Sequence, residues 1–194
     1  MSNDGMNKRR KDRIEVTAWS VGILGALVAA SIGIWQMVET RYQRTEELRW
    51  RQANLARELI DKMLADEQAG SALRMLDWEE QSHEYEIEVG RKEEINVNDV
   101  YSALQVNDSQ KSPKDVYIRE CFDQLFFHIN QVERSLRIKV LQFDDVKFPL
   151  DYYSKLMLQQ KMVFETYMNE YGDKEALTFF QRFEGWKSPQ TPPQ

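Results

Sequence analysis

The chain has 194 residues, 26 Lys+Arg against 32 Asp+Glu, two His and one Cys. That suffices for one domain of ordinary size with an appendage and is too little for two independent enzyme domains. A single Cys excludes an internal disulfide framework and a Cys-based zinc site, and His83 with His128 leaves little for a multi-His metal centre.

In chain order, residues 1–15 form a basic tail containing Lys8, Arg9, Arg10, Lys11 and Arg13. Residues 16–38 read VTAWSVGILGALVAASIGIWQMV, 23 residues without a charge. At about 1.5 Å per residue a helix of that length reaches the ~30 Å of a bilayer's hydrocarbon core. Trp19 and Trp35 lie near its ends, where indole rings favour the lipid boundary. The expectation is a transmembrane helix. Along it Gly22, Ala26 and Ala30 recur every four residues, and Gly25, Ala29 and Gly33 form a second row. Small residues at this spacing let helices pack closely in lipid, so two rows predict a homo-oligomer. Basic residues tie at five on each side of the span, so the charge rule chooses no orientation.

Residues 39–194 carry 21 basic and 29 acidic side chains. A connecting helix is expected over 39–66, continuous with the span, because Leu48, Leu55, Leu59 and Met63 keep helical spacing without Pro or Gly. Gln52 and Lys62 interrupt a strict heptad seam. A mostly helical soluble domain follows over 67–187. Gly70-Ser71 marks a break, with Ser71 capping a short helix through Trp78. Tyr85, Ile87 and Val89 alternate with Glu84, Glu86 and Glu88, the two-residue period of a strand, and a turn at Gly90 returns it along Ile95 and Val97. Asn98 is the expected cap of a helix through Leu104, and residues 107–114 form a loop. The strongest core helix runs from Asp115 to about Ile138. A long helix is expected from Pro149 to Gly172, then a last one capped by Asp173. The tail 188–194, SPQTPPQ, is too polar to bury anything and is expected to be disordered. The fold class is therefore mainly α: one N-terminal transmembrane helix continuing into a helical domain with a small β-hairpin.

No phosphate-cradling glycine loop, H-E-x-x-H or G-x-S-x-G occurs, so neither catalytic residues nor a cofactor or metal is expected. His128, in FFHIN, reads better as a hydrogen-bonded helix His than as a base, and Cys121 as a small buried hydrophobe. Arg134, Arg137 and Lys139, with Lys147 and Lys155 nearby in sequence, are the candidate ligand-binding residues. Arg134 and Arg137 share a helix face and suit phosphates, with Tyr152 or Tyr153 to stack on a base. The competing reading, and the simpler one, is a solvated charged face on an acidic domain. The acidic balance disfavours long nucleic acid and permits a small anion. The acidic run from Glu79 to Glu94 is either a solvated strand face or a docking surface for a basic partner.

The tail NKRRKDR, the small-rich SVGILGALVAASIGIW, the emerging helix RYQRTEELRWRQANLARELIDKML and the helical remainder together resemble bacterial single-pass antiphage effectors. In particular the layout is similar to the membrane-anchored CRISPR ancillary effectors that answer cyclic oligoadenylate. The resemblance spans the whole chain in layout. It implies a bacterial inner-membrane protein with a cytoplasmic oligomeric domain that binds a cyclic nucleotide and signals to its membrane helices. The alternative is an anchored scaffold recruiting a protein partner through its acidic face.

Overall fold

The computed structural model describes residues 4–77, 82–106, 111–183 and 185, with side chains from residue 32 onward. Helix α1 (Asp4–Ala65) is unbroken over 62 residues. Among the described residues, no helix is long and apolar enough to cross a membrane. This overturns the expected transmembrane helix at 16–38, and with it the single-pass inner-membrane placement. The run lies in the interior of a helix that continues to Ala65, and past Val38 that helix carries Glu39, Arg41 and Arg44. The side chains of residues 16–31 lie outside the described residues, and so do those of Gly22, Gly25, Ala26, Ala29 and Ala30. Gly33 is described, and nothing lies within 4 Å of where its Cβ would stand.

The chain divides into two units, Met1–Trp50 and Arg51–Gln194. In the first, residues 32–50 are exposed throughout, Trp35, Tyr42 and Trp50 among them. The hydroxyls of Thr40 and Thr45 donate to the carbonyls of Gln36 and Arg41 four residues back, the usual way a helical Thr satisfies its hydroxyl.

The second unit holds the core. From Arg51 on, α1 buries Ala56, Ile60 and Met63, a stripe of helical period. The break comes at Asp66, earlier than Gly70-Ser71. Asp66 accepts a hydrogen bond from the Ala69 N–H at 2.9 Å and so caps α2 (Glu67–Asp77). Ser71 is thereby placed inside α2, 2% exposed, its hydroxyl donating to the Glu67 carbonyl. Trp78 and the acidic Glu79 and Glu80 lie outside the described residues.

Strands β1 (His83–Glu88) and β2 (Arg91–Ile95) pair antiparallel, Tyr85 opposite Glu93. Tyr85 is buried, Ile87 half-buried, and Val89, expected on the inner face, is fully exposed in the turn. Gly90 takes φ +77°, a left-handed position that favours glycine. Val97 opens helix α3 (Val97–Leu104) instead of ending a strand, and its cap is Asn96, not Asn98. The Asn96 side chain accepts from the Asn98 and Asp99 amides while Asp99 accepts from the Asn96 N–H. That reciprocal box needs an acid three residues after the cap, which Asn96 has.

Helix α4 (Pro113–Arg137) is the spine, packing on α2, α3 and β1 and on the last described helix of the chain. Ser112 caps it in a second reciprocal box with Asp115, and Pro113 occupies the first turn, where a missing N–H costs nothing. The helix expected from Pro149 to Gly172 is two helices, α5 (Phe143–Leu158) and α6 (Lys161–Tyr171). Leu150 and Met157 on α5 and Phe164 and Tyr167 on α6 are all buried in the one core, and the polar Gln159-Gln160 turn lets both helices present those faces. Pro149 falls inside α5, and Gly172 ends α6 at φ +89°. Helix α7 (Lys174–Phe180) starts after Asp173, which makes no side-chain cap of its own. Asn130 of α4 caps α7 across the core, accepting from the Ala176 N–H at 2.6 Å and donating to Asp173 at 2.8 Å. Phe122, Phe126, Phe164, Tyr167, Phe179 and Phe180 form the aromatic centre, with Phe126 edge-on to Phe180 at 6.5 Å. The tail 188–194 lies outside the described residues.

Candidate anion-binding groove

One face of α5 carries Lys147, Asp151, Ser154 and Lys155, at offsets of four, seven and eight residues. Opposite it runs the chain just past α7, contributing Arg182, Phe183 and Gly185. Together these residues line a groove of about 610 Å³, within the range that holds a small organic ligand. Phe183, 3% exposed, sits edge-on to Phe143 at 5.1 Å and to Phe179 at 5.4 Å, which fixes this segment. Gly185 has φ +91°, a left-handed position that strains any side chain, and a Cβ there would come within 2.6 Å of the Leu158 side chain.

Three cations face this space. Arg182 donates through Nε and Nη2 to the two oxygens of Glu133 on α4, at 2.8 and 2.6 Å. Those hydrogen bonds raise the guanidinium's pKa, against a smaller opposing push from burial. Its Cζ lies 6.0 Å from the Phe143 ring centre. Lys155 pairs with Asp151 at 2.6 Å, four residues earlier on α5. Lys147 is exposed and has no acidic partner among the described residues. A mostly polar lining with several donors, Lys147 among them without an acidic partner among the described residues, suits a small anion.

Arg134, Arg137 and Lys139 stand elsewhere, at the C-terminal end of α4 and the turn after it. Arg134 and Arg137 converge on one carboxylate oxygen of Glu175, at 3.7 and 3.9 Å, with side chains 55% and 64% exposed. Lys139 is exposed in a left-handed conformation at φ +63°, and its carbonyl accepts from Gln52 at 3.3 Å. None of the three lines the groove between α5 and Arg182. Sequence reasoning missed Arg182 and Glu133. A signal for Glu133 exists: it follows Phe126 by seven residues and Ile129 by four, so a charge occupies a core position of α4 and demands a buried partner.

His128 belongs to a different cluster. Its Nε2 lies 3.4 Å from Asp66, which also accepts from Gln124 at 3.0 Å. Burial pushes the Asp66 carboxyl up, but the Ala69 N–H, Gln124 and His128 together hold it below the usual carboxylate range. The group ties the α1–α2 junction to α4. Cys121 is fully buried, and burial above all pushes its thiol up to about 12, which leaves it protonated and unreactive at neutral pH. On the hairpin Glu84 pairs with Lys92 at 3.3 Å, and Arg91 pairs with Glu93 and Glu88, so much of the acidic face is neutralised locally. Among the described residues no group of three or more His, Cys, Asp or Glu is placed to hold a metal ion.

No protein-family model matches the chain, and no curated protein or solved structure matches it either.

Proposed function

We propose that the unit starting at Arg51 forms a non-enzymatic binding module for a small anionic ligand, held in the groove that α5 lines with Arg182, Phe183 and Gly185. The observation that carries this reading is the convergence of Lys147, Lys155 and Arg182 on one cavity, with Lys147 unpaired among the described residues. The ligand class includes cyclic oligoadenylate, the nucleotide implied by the resemblance to CRISPR ancillary effectors. The groove replaces Arg134, Arg137 and Lys139 as the place we assign to it.

The same module offers a route for a response. Gln142, the residue preceding α5, donates to Gln52 of α1 at 3.1 Å, and Gln52 donates in turn to the Lys139 carbonyl. A ligand that draws α5 toward Arg182, Phe183 and Gly185 strains this bridge, and it shifts an equilibrium only by its differential affinity for the two arrangements. An oligomeric sensor that reports ligand binding through α1 is the function we infer, with no membrane step in it. Recruitment of a basic protein partner by the hairpin is the second reading, and Glu86 and Glu94, exposed and with carboxylates that have no cationic partner among the described residues, are what favours it.

Thermal melts of the full chain with cyclic tetra-adenylate, ATP and pyrophosphate test the first reading. At a hundredfold excess over Kd, linkage adds about 2.7 kcal/mol, and a chain of this size then melts roughly 5–10 °C higher. Lys147→Glu should abolish the shift. No shift with any of the three would reject the anion reading, and a stoichiometric protein partner in its place would favour recruitment.

A further inference from the structure

We infer that Glu133 is the positioning residue of this groove: it grips one edge of the Arg182 guanidinium so that the remaining donors face an incoming anion. The inference rests on the reading of the groove given above and assigns a role within it.

Glu133 is 3% exposed on the core face of α4, where an apolar side chain packs at least as well as an ion pair. Anchoring the chain after α7 does not require the pair, because Phe183 is already locked between Phe143 and Phe179. What the pair adds is orientation. Of a guanidinium's five N–H donors, Glu133 engages those on Nε and Nη2. The Nη1 pair and the second hydrogen of Nη2 have no partner among the described residues, and the side chain, 38% exposed, lines the groove. Phe143, 6.0 Å from Cζ, restrains the guanidinium further. A planar fork held by a carboxylate and an aromatic ring presents its free edge at a fixed angle, which a flexible ammonium cannot do. Glu133 never meets the ligand; it acts through Arg182.

Charge and positioning predict opposite signs. Glu133→Gln removes a negative charge beside the groove, so charge alone makes anions bind more tightly. If the carboxylate orients Arg182, the same substitution frees the guanidinium to swing and weakens binding by about tenfold, the worth of a lost two-pronged contact. Arg182→Lys supplies the second arm. It keeps the charge and a partner for Glu133 but loses the fork, and it should also weaken binding by about tenfold.

The experiment is calorimetric titration of pyrophosphate into the full chain at low salt, for the wild type and both variants, with folding checked by thermal melts. Weaker binding in both variants, with melts that remain cooperative, supports the assignment. Equal or tighter binding by a folded Glu133→Gln chain, or wild-type affinity in Arg182→Lys, overturns it while leaving the groove in place. Should Glu133→Gln fail to fold, Arg182→Lys decides alone. A wild-type chain that takes up no pyrophosphate overturns the groove reading itself, and the role of Glu133 with it.

Discussion

Arg182→Ala perturbs the second unit at its most exposed weakness. The substitution leaves the Glu133 side chain, 4% exposed, without the only ion-pair partner it has among the described residues. Breaking a buried pair from one side costs about 3–5 kcal/mol, because the stranded charge stays out of water. Arg182 itself is 38% exposed, so water reaches Glu133 once the guanidinium is gone, and the lower end applies, about 3 kcal/mol. Loss of the cation over the Phe143 ring adds roughly 0.5 kcal/mol. The expected outcome is a melting temperature lower by about 6–14 °C at pH 7, and a urea midpoint shifted with an unchanged slope. The double substitution Glu133→Leu with Arg182→Met removes the stranded charge and should recover most of the loss. Arg182→Ala within about 0.5 kcal/mol of the wild type, the range of ordinary surface changes, would refute the placement of Glu133 in the core.

Other substitutions probe the caps and the buried titratable groups. Asp66→Ala should cost about 1 kcal/mol by removing the α2 cap. Because the folded pKa of Asp66 is depressed, its contribution is present above the unfolded carboxylate pKa and fades as pH falls through the folded value. Urea midpoints of variant and wild type should therefore converge in acid, and a gap unchanged down to pH 2 would contradict this. Asp173→Asn acts in the opposite sense. Burial raises the Asp173 pKa, so its contribution is complete at low pH and lost as pH rises, and the amide should leave stability at pH 7 equal or higher while keeping the contact with Asn130. A clear loss at pH 7 would show that the charge itself is needed. Gly185→Ala should destabilise by about 1–2 kcal/mol, from the left-handed backbone alone, before its clash with Leu158. Cys121 should resist alkylation in the native state at pH 8 and react only on unfolding; rapid native labelling would refute its burial.

The elements that periodicity governs were readable in the sequence. The stripe Ile118–Leu136 marks α4, and the alternation from Glu84 to Ile87 marks β1, because each repeats a burial pattern many times over. Caps were harder, since neighbouring residues compete: Asn96 and Asn98 differ only in having an acid three residues on, and Asp66 outcompetes Ser71 from outside the apolar pattern. The α5–α6 break was hidden because both halves keep helical spacing, and only tertiary packing turns the chain at Gln159-Gln160. The apolar run at 16–38 invited a membrane reading on its composition, but among the described residues no helix is long and apolar enough to cross a membrane. The groove was the least legible feature. Lys147 and Lys155 stood out only as charges near Arg137, while Arg182, which pairs with Glu133 across 49 residues of sequence, belongs to no local pattern. Charge density along the chain pointed to Arg134 and Arg137, which the fold spends on Glu175.

At 23.0 kDa the chain is within reach of residue-resolved NMR, and one titration addresses the assignment of the groove most directly. Pyrophosphate is added to the ¹⁵N-labelled protein at low salt and the amide shifts are followed. Saturable shifts are expected at Lys147, Asp151, Ser154, Lys155 and Arg182, spreading to Gln142 and Gln52, with Arg134 and Arg137 unmoved. Shifts centred on Arg134, Arg137 and Lys139 with a silent α5, or none at millimolar pyrophosphate, would contradict that assignment.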